Sequence, residues 1–148
     1  MNISIRKASL NDAETIYSIE SECFSSPWSK QSISDLISSD TGGVLCAVYE
    51  NTIVGYIGYL IMYDSVHIVN VAVKKSFRRK KIASTLLRRI KEIFKDSGYE
   101  GITLEVSAFN IAAISLYKKH GFVAEGKRAN YYSFGEDAYI MWLRLNNE

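Results

Sequence analysis

Residues 65–106 constrain the fold more than any other stretch. Ser65 to Val73 is dense in valine and isoleucine and reads as a strand. From Ile82 the apolar period changes. Ile82, Leu86, Ile90 and Ile93 fall on one helical stripe, with Ala83, Leu87 and Phe94 beside it. Gly98 is a natural helix stop, and Ile102 to Val106 is again an apolar run of strand length. Strand, long helix and strand in succession form a crossover, so this half of the chain belongs to a sheet with a helix laid across one face.

The flanking segments complete the sheet. Ile3 to Arg6 alternates like a short strand. Asn11, followed by Glu14, has the spacing of a capping box for a helix carrying Ile16, Ile19 and Cys23, which Pro27 ends. Ser29 starts a second short helix with Ile33, Leu36 and Ile37, and Gly42-Gly43 is expected to break it. Val44–Tyr49 and Ile53–Ile61 form a hairpin closed by Glu50-Asn51-Thr52. After the crossover, Asn110 caps a helix that runs to His120 and stops at Gly121. Phe122–Ala124 opens a strand, Gly135 marks a loop, and Tyr139–Leu145 is the last strand. The order β-α-α-β-β-β-α-β-α-β-β predicts an α/β (α+β) domain: a mixed sheet with helices on both faces, three layers deep.

Composition agrees with one domain spanning residues 1–148. Of the 148 residues, 47% are hydrophobic and 23% charged, and the net charge is +2. That excludes a disordered chain. Cys23 and Cys46 cannot staple a chain of this length, and read as small buried hydrophobes in a reduced protein. His67 and His120 are too few for a zinc site, so no metal is expected. The N-terminus lacks a signal-peptide pattern, and the longest nearly apolar run, Ile53 to Tyr63, is too short to span a bilayer. A cytoplasmic protein without a membrane partner is expected.

Charge is distributed unevenly. Ten of the 18 basic residues lie between Lys74 and Lys95, with Glu92 as the one acid among them. Such a block serves a solvated helix face or a polyanion, either nucleic acid or a phosphorylated cofactor.

Three places can carry chemistry. The first is the junction where Asn70-Val71-Ala72-Val73-Lys74 runs into Arg78-Arg79-Lys80-Lys81-Ile82-Ala83. Free N–H groups and the dipole at a helix start bind anions, and the same residues serve equally as a solvated basic turn. The second is Glu105, a carboxylate inside the apolar strand Leu104-Glu105-Val106. Desolvation would raise its pKa towards general-base use, unless that face meets solvent. The third is Asn110 to Phe122, where Tyr117 is a core residue unless the other two features converge on it. His120, at a helix end before Gly121, reads as a cap.

In this order and spacing, these features resemble the GCN5-related N-acetyltransferase (GNAT) superfamily. Its cofactor motif, Gln/Arg-x-x-Gly-x-Gly/Ala after a strand, corresponds to Arg78 through Ala83. Its later motif, Asn-x-x-Ala-x-x-Leu-Tyr-x-x-x-Gly-Phe, is matched throughout from Asn110 and Ala113 to Gly121-Phe122. Pro27-Trp28-Ser29, Asn70-Val71-Ala72-Val73, Leu104-Glu105-Val106, and Asn130-Tyr131-Tyr132 with Glu136-Asp137-Ala138 are similar to the ribosomal-protein alanine N-acetyltransferases (RimI type). One position departs: Lys81 stands at the first motif glycine. A lysine there must hold negative φ or accept strain, and cofactor binding is expected to survive the exchange.

The resemblance implies a sheet splayed at its centre between Ser65–Val73 and Ile102–Val106, with acetyl-CoA in the gap and no metal. Val71, Ala72 and Val73 would line the pantetheine arm. Arg78, Arg79, Lys80, Lys81, Ile82, Ala83 and Ser84 would hold the pyrophosphate. Asn110 would orient the cofactor arm or the Tyr117 region. Glu105 would take the amine's proton and Tyr117 would protonate the departing thiolate. Trp28, Tyr131 and Tyr132 would contact the acceptor, and His67 is a second possible proton acceptor or else an edge or core histidine.

The implied acceptor is a protein N-terminus, the alanine of a small-subunit ribosomal protein. An α-amine with a pKa of about 7.7–8.0 is roughly one-tenth neutral at pH 7, far more than a lysine with a pKa of about 10.4. A small-molecule amine or a protein lysine is the alternative acceptor. A basic RNA-binding module is the competing non-enzyme reading, although the resemblance itself requires no nucleic acid.

Overall fold

The structure is a computed structural model that describes residues 1–145. Positions 146–148 of the expected domain lie outside the described residues. Eleven principal elements follow in the expected order: β1 Ser4–Lys7, α1 Ala13–Cys23, α2 Lys30–Ser38, β2 Gly42–Tyr49, β3 Thr52–Met62, β4 Ser65–Val73, α3 Ile82–Phe94, β5 Gly101–Ser107, α4 Ile111–Lys119, β6 Val123–Ser133 and β7 Glu136–Arg144. Short 3₁₀ turns at Leu10–Asp12 and Lys75–Phe77 precede α1 and α3.

The strands form one mixed sheet in the order β1-β2-β3-β4-β5-β7-β6. β4 and β5 are its parallel neighbours, joined by the α3 crossover, and every other pairing is antiparallel. Helices cover both faces. One core gathers Ile82, Leu86, Leu87, Ile90 and Phe94 of α3 on Ile57, Val66, Ile102 and Leu104, with α4 at its margin. The other packs Ile16 and Ile19 of α1 and Ile33 and Leu36 of α2 on Val44, Cys46 and Tyr56. The three-layer α/β/α architecture is as expected. No helix among the described residues is long and apolar enough to cross a membrane.

Three local expectations change. Asn11 lies inside the first 3₁₀ turn. Asp12 organises the start of α1 instead, accepting from the Ser9 N–H at 2.8 Å and pairing with Arg6 of β1. Gly42 and Gly43 do not break α2; they begin β2. A Cβ at Gly42 would lie 2.6 Å from the Tyr59 carbonyl oxygen, so glycine there permits a close strand approach. In α3, Ile93 turns out to solvent and Phe94 turns in, edge-on to Tyr59 with ring centroids 5.4 Å apart. Spacings of four from Leu86 and Ile90 carry the stripe to position 94. The hairpin forms where expected but its turn is one residue shorter: Thr52 belongs to β3 and pairs with Tyr49, and Glu50 and Asn51 both hold positive φ, the two-residue geometry that suits strand twist.

The feature that positions the site is an interruption of the sheet. β4 and β5 pair only at Ser65–Gly101, Val66–Ile102 and His67–Thr103. β4 then stays on β3 while β5 stays on β7, and a gap opens between them. β4 also bulges at the opening: Asn70 pairs with Gly58 and Ile68 with Tyr59, leaving Val69 without a counterpart. Bulges bend a strand and re-aim its side chains.

Candidate active site

Along the gap, β4 turns a backbone edge outward. The Lys74 N–H reaches β3 through the Val54 carbonyl at 2.8 Å. The polar groups of Val71 and Val73 therefore point the other way, into the opening. The Val73 carbonyl is already engaged there, by the Cys23 thiol at 3.3 Å and Arg78 Nε at 3.4 Å.

Beyond β4, Arg79 and Lys81 both have φ of +63°. Lys81 thus takes the strained, left-handed branch of the two open to it, and as N-cap it offers no side-chain bond to the helix. The first intrahelical bond runs from the Thr85 N–H to the Lys81 carbonyl, at 3.0 Å. The N–H groups of Ile82, Ala83 and Ser84 are left without helical acceptors. A cavity of about 300 Å³ lies in front of them, lined by Val73, Phe77, Arg78, Arg79, Lys81, Ile82, Ala83, Ser84 and Leu116. Among the described residues, Lys95 is the single cation of the 74–95 block with a carboxylate partner. The others are uncompensated, as a site for a multiply charged phosphate requires. The Ser84 hydroxyl is committed elsewhere, 2.9 Å from Nε2 of the buried His120. His120 caps α4 as read. Burial and the nearby Lys91, Arg88 and Lys119 push its pKa below the usual histidine value.

α4 brings Tyr117 to the same side of the sheet, against the α3 core and edge-on to Phe122 at 5.9 Å. Burial, with a smaller contribution from Tyr132, pushes its phenol up to about 12. Asn110 caps α4 by accepting from the Ala113 N–H at 3.2 Å, so its carbonyl oxygen is used and its amide N–H₂ remains.

Glu105 leaves β5 on the opposite face, because its neighbours Leu104 and Val106 are in the α3 core. It is not the isolated carboxylate of an apolar strand. Arg128 Nε lies 2.6 Å from one oxygen and the Tyr131 hydroxyl donates to the other at 3.2 Å. These partners come from the irregular end of β6, where regular pairing lapses between Arg128 and Ser133. Tyr131 and Tyr132 stand half-exposed, rings nearly perpendicular and 5.0 Å apart. Burial and Glu105 hold Tyr132 at about 12. His67 touches Thr103 Oγ1 at 2.8 Å, and burial lowers its pKa against the pull of Glu105. Glu105 and Tyr117 thus lie on opposite faces of the sheet.

Trp28 is half-buried against the α1–α2 core. Its backbone N–H donates to Glu20 at 3.0 Å. Glu20 and Arg128 are absent from the sequence-based site. Glu20 was detectable: it stands four residues after Ile16 and three before Cys23, on the buried stripe of α1. Arg128 carried no comparable signal, since its place depends on the irregular hairpin.

The sheet is split, with unsatisfied helix-start N–H groups on one face and a carboxylate on the other. The sequence profile of the Acetyltransferase (GNAT) family matches residues 13–122, and the chain belongs to that family. Within the family it is similar from end to end to a Bacillus subtilis (strain 168) protein provisionally named as a ribosomal protein bS18-alanine N-acetyltransferase. The two are 36% identical over 145 residues, 97% of this chain and 96% of that protein. The crystal structure of the ribosomal-protein-S18-alanine N-acetyltransferase from Escherichia coli matches with a TM-score of 0.92 at 25% identity, covering 99% of this chain and 96% of that one. Arabidopsis thaliana NAA60 in complex with acetyl-CoA shares the fold, with a TM-score of 0.88 at 19% identity over 99% of this chain and 100% of that one.

Proposed function

We propose that the protein transfers the acetyl group of acetyl-CoA to the N-terminal α-amine of a protein, the alanine of a small-subunit ribosomal protein, by direct attack on the thioester. The names of the Bacillus subtilis and Escherichia coli relatives support the acceptor. The observation that carries the reading is the parting of β4 and β5 after His67–Thr103, which opens a passage between the two faces.

The residues present fit acetyl-CoA: a β4 backbone edge turned to the gap, N–H groups at the α3 start without helical acceptors, cations without carboxylate partners and a cavity in front of them. When bound, it supplies an acetyl group activated as a thioester. The N–H groups from Lys81 to Ser84, with Arg79 and Lys80, hold the pyrophosphate. The β4 edge at Val71 and Val73 aligns the arm, while Ala72 turns its polar groups to β3 and its side chain into the α1–α2 core; an N–H of that edge polarises the thioester carbonyl. Glu105 accepts the amine's proton, directly or through water, as the arriving ammonium takes the place of the Arg128 cation. Tyr117 stays protonated at neutral pH and donates a hydrogen bond to the departing sulfur. Full proton transfer from a phenol at about 12 to a thiolate of ordinary pKa, about 8.5, would be uphill by roughly 5 kcal/mol. Hydrogen bonding is therefore the main contribution of Tyr117. On this reading the enzyme works in the cytoplasm, with neither metal nor nucleic acid.

Mass spectrometry of a peptide with N-terminal alanine and an internal lysine, incubated with protein and acetyl-CoA, tests the reading. Acetyl on the α-amine alone is expected. Acetyl on lysine would move the substrate class. No acetyl despite cofactor binding would point to a small amine.

A further inference from the structure

Glu20 is the one carboxylate of the described chain buried to 1% exposure, and the mechanism above leaves it without a role. Its oxygens accept from four donor contacts on three separate segments: the Trp28 N–H at 3.0 Å, the Tyr56 hydroxyl, and Asn70 Nδ2 at 2.8 Å and 3.0 Å. All three donor residues are neutral, and no cation pairs with Glu20 among the described residues. A buried carboxylate held by neutral donors is an expensive way to fill space. An apolar residue would continue the stripe of Ile16 and Ile19 at lower cost. What the carboxylate adds is directional: charge-assisted hydrogen bonds fix the positions of their donors.

The donors are placed where position matters. Asn70 is on the bulge of β4, just past the last β4–β5 pair at His67–Thr103. Tyr56 is on β3 beside it. Trp28 ends the Phe24–Trp28 loop, on the sheet face to which Glu105 also projects. Resting on the function proposed above, we infer that Glu20 is a positioning residue: it clamps the Phe24–Trp28 loop to the opening of the sheet and so sets the acceptor side of the cleft. It touches neither cofactor nor acceptor.

Glu20→Gln tests this with little change of volume, where removal of the whole side chain could prevent folding. The amide places an N–H₂ where donors already converge, and the loop loses its anchor. Hydrogen exchange of residues 24–28, followed by mass spectrometry, should accelerate at least tenfold, with α3 and β5 unchanged. KM for an alanine-terminated peptide should rise about tenfold, as expected for loss of a hydrogen bond to a charged group. kcat and the acetyl-CoA Kd should stay within about twofold. Adding Asn70→Asp moves the acceptor to the other side of the pair, and the double variant should recover most of both losses. Unchanged exchange at 24–28 would overturn the inference, as would equal loss of acetyl-CoA affinity or failure of the double variant to recover. If the unaltered protein acetylates no peptide, the functional reading fails, while the exchange measurement and its recovery still decide whether Glu20 clamps the loop.

Discussion

Lys81 holds a conformation that glycine adopts freely and lysine does not, with φ 63° and ψ 24°. The left-handed region costs a residue with a Cβ about 1–2 kcal/mol, while glycine's extra chain entropy returns about 0.5–1. Lys81→Gly should therefore stabilise the fold by about 0.5–1 kcal/mol, or a few degrees in Tm, as read by urea or thermal unfolding. The same variant removes a cation from the proposed pyrophosphate site and should weaken acetyl-CoA several-fold in calorimetry. An unchanged or lower stability would show that the turn is not strained. Tyr117 and Glu105 separate by readout. Tyr117→Phe should lower kcat about 10²-fold, as for loss of a hydrogen-bond donor to developing charge, and leave the acetyl-CoA Kd nearly unchanged; equal losses would refute a role at the sulfur. Glu105→Gln should lose most below about pH 7.5 and recover towards pH 9, where an α-amine of pKa about 7.7–8.0 sheds its own proton. A loss independent of pH would mean that Glu105 only holds Arg128 and Tyr131 in place.

Among the elements, the start of α1 is fixed by a local capping box, Ser9 with Asp12, and by the pairing of Asp12 with Arg6 of β1. Asp12 is held down to about 2, first by its hydrogen bonds from Arg6 and further by the Ser9 N–H. A carboxyl whose folded pKa lies below its unfolded value stabilises the fold above that unfolded value, and the stabilisation is lost as pH falls towards the folded one. Asp12→Asn should thus cost about 1 kcal/mol at pH 7, after discounting for the half-exposed Arg6, and almost nothing at pH 2. Urea unfolding at the two pH values checks it. The elements themselves were legible because each carries its own period. The β4–α3–β5 crossover, the hairpin at Glu50-Asn51 and the Asn110 cap all depend on near neighbours. Asn11 with Glu14 and Ser9 with Asp12 have the same capping-box spacing, and the partner that favours the second pair, Arg6, sits on another element. Gly42-Gly43 read as a breaker because their real constraint is Tyr59 on the facing strand. The helix-start half of the site was legible for the same local reason. The Glu105–Arg128–Tyr131 cluster and the Glu20 clamp depend on an irregular hairpin and a bulge, and no local spacing encodes either.

For the molecule as a whole, one histidine ties the α3–α4 layer together and another ties the two strands that flank the gap. His120 joins α4 to α3 through Ser84, and the Lys91 ammonium holds its carbonyl at 2.9 Å. His67 joins β4 to β5 through Thr103 at the last pair before the gap. Both histidines have folded pKa values below the usual one, chiefly through burial. A depressed folded pKa means that the unfolded chain binds more protons. The stabilisation is present above about pH 6.5 and is lost as pH falls through the folded values. Glu20 acts in the other direction, because burial raises its pKa and its ionisation costs stability as pH rises. Comparison of variants therefore isolates the histidines better than a single pH curve does. Unfolding free energy of the unaltered protein should decline between pH 6.5 and 5, with a slope of at most about 1.4 kcal/mol per pH unit for each histidine. His67→Gln and His120→Gln should each flatten part of that slope, and the double variant most of it. A double variant that keeps the full slope would place the proton uptake elsewhere and leave the two contacts without a part in the pH response.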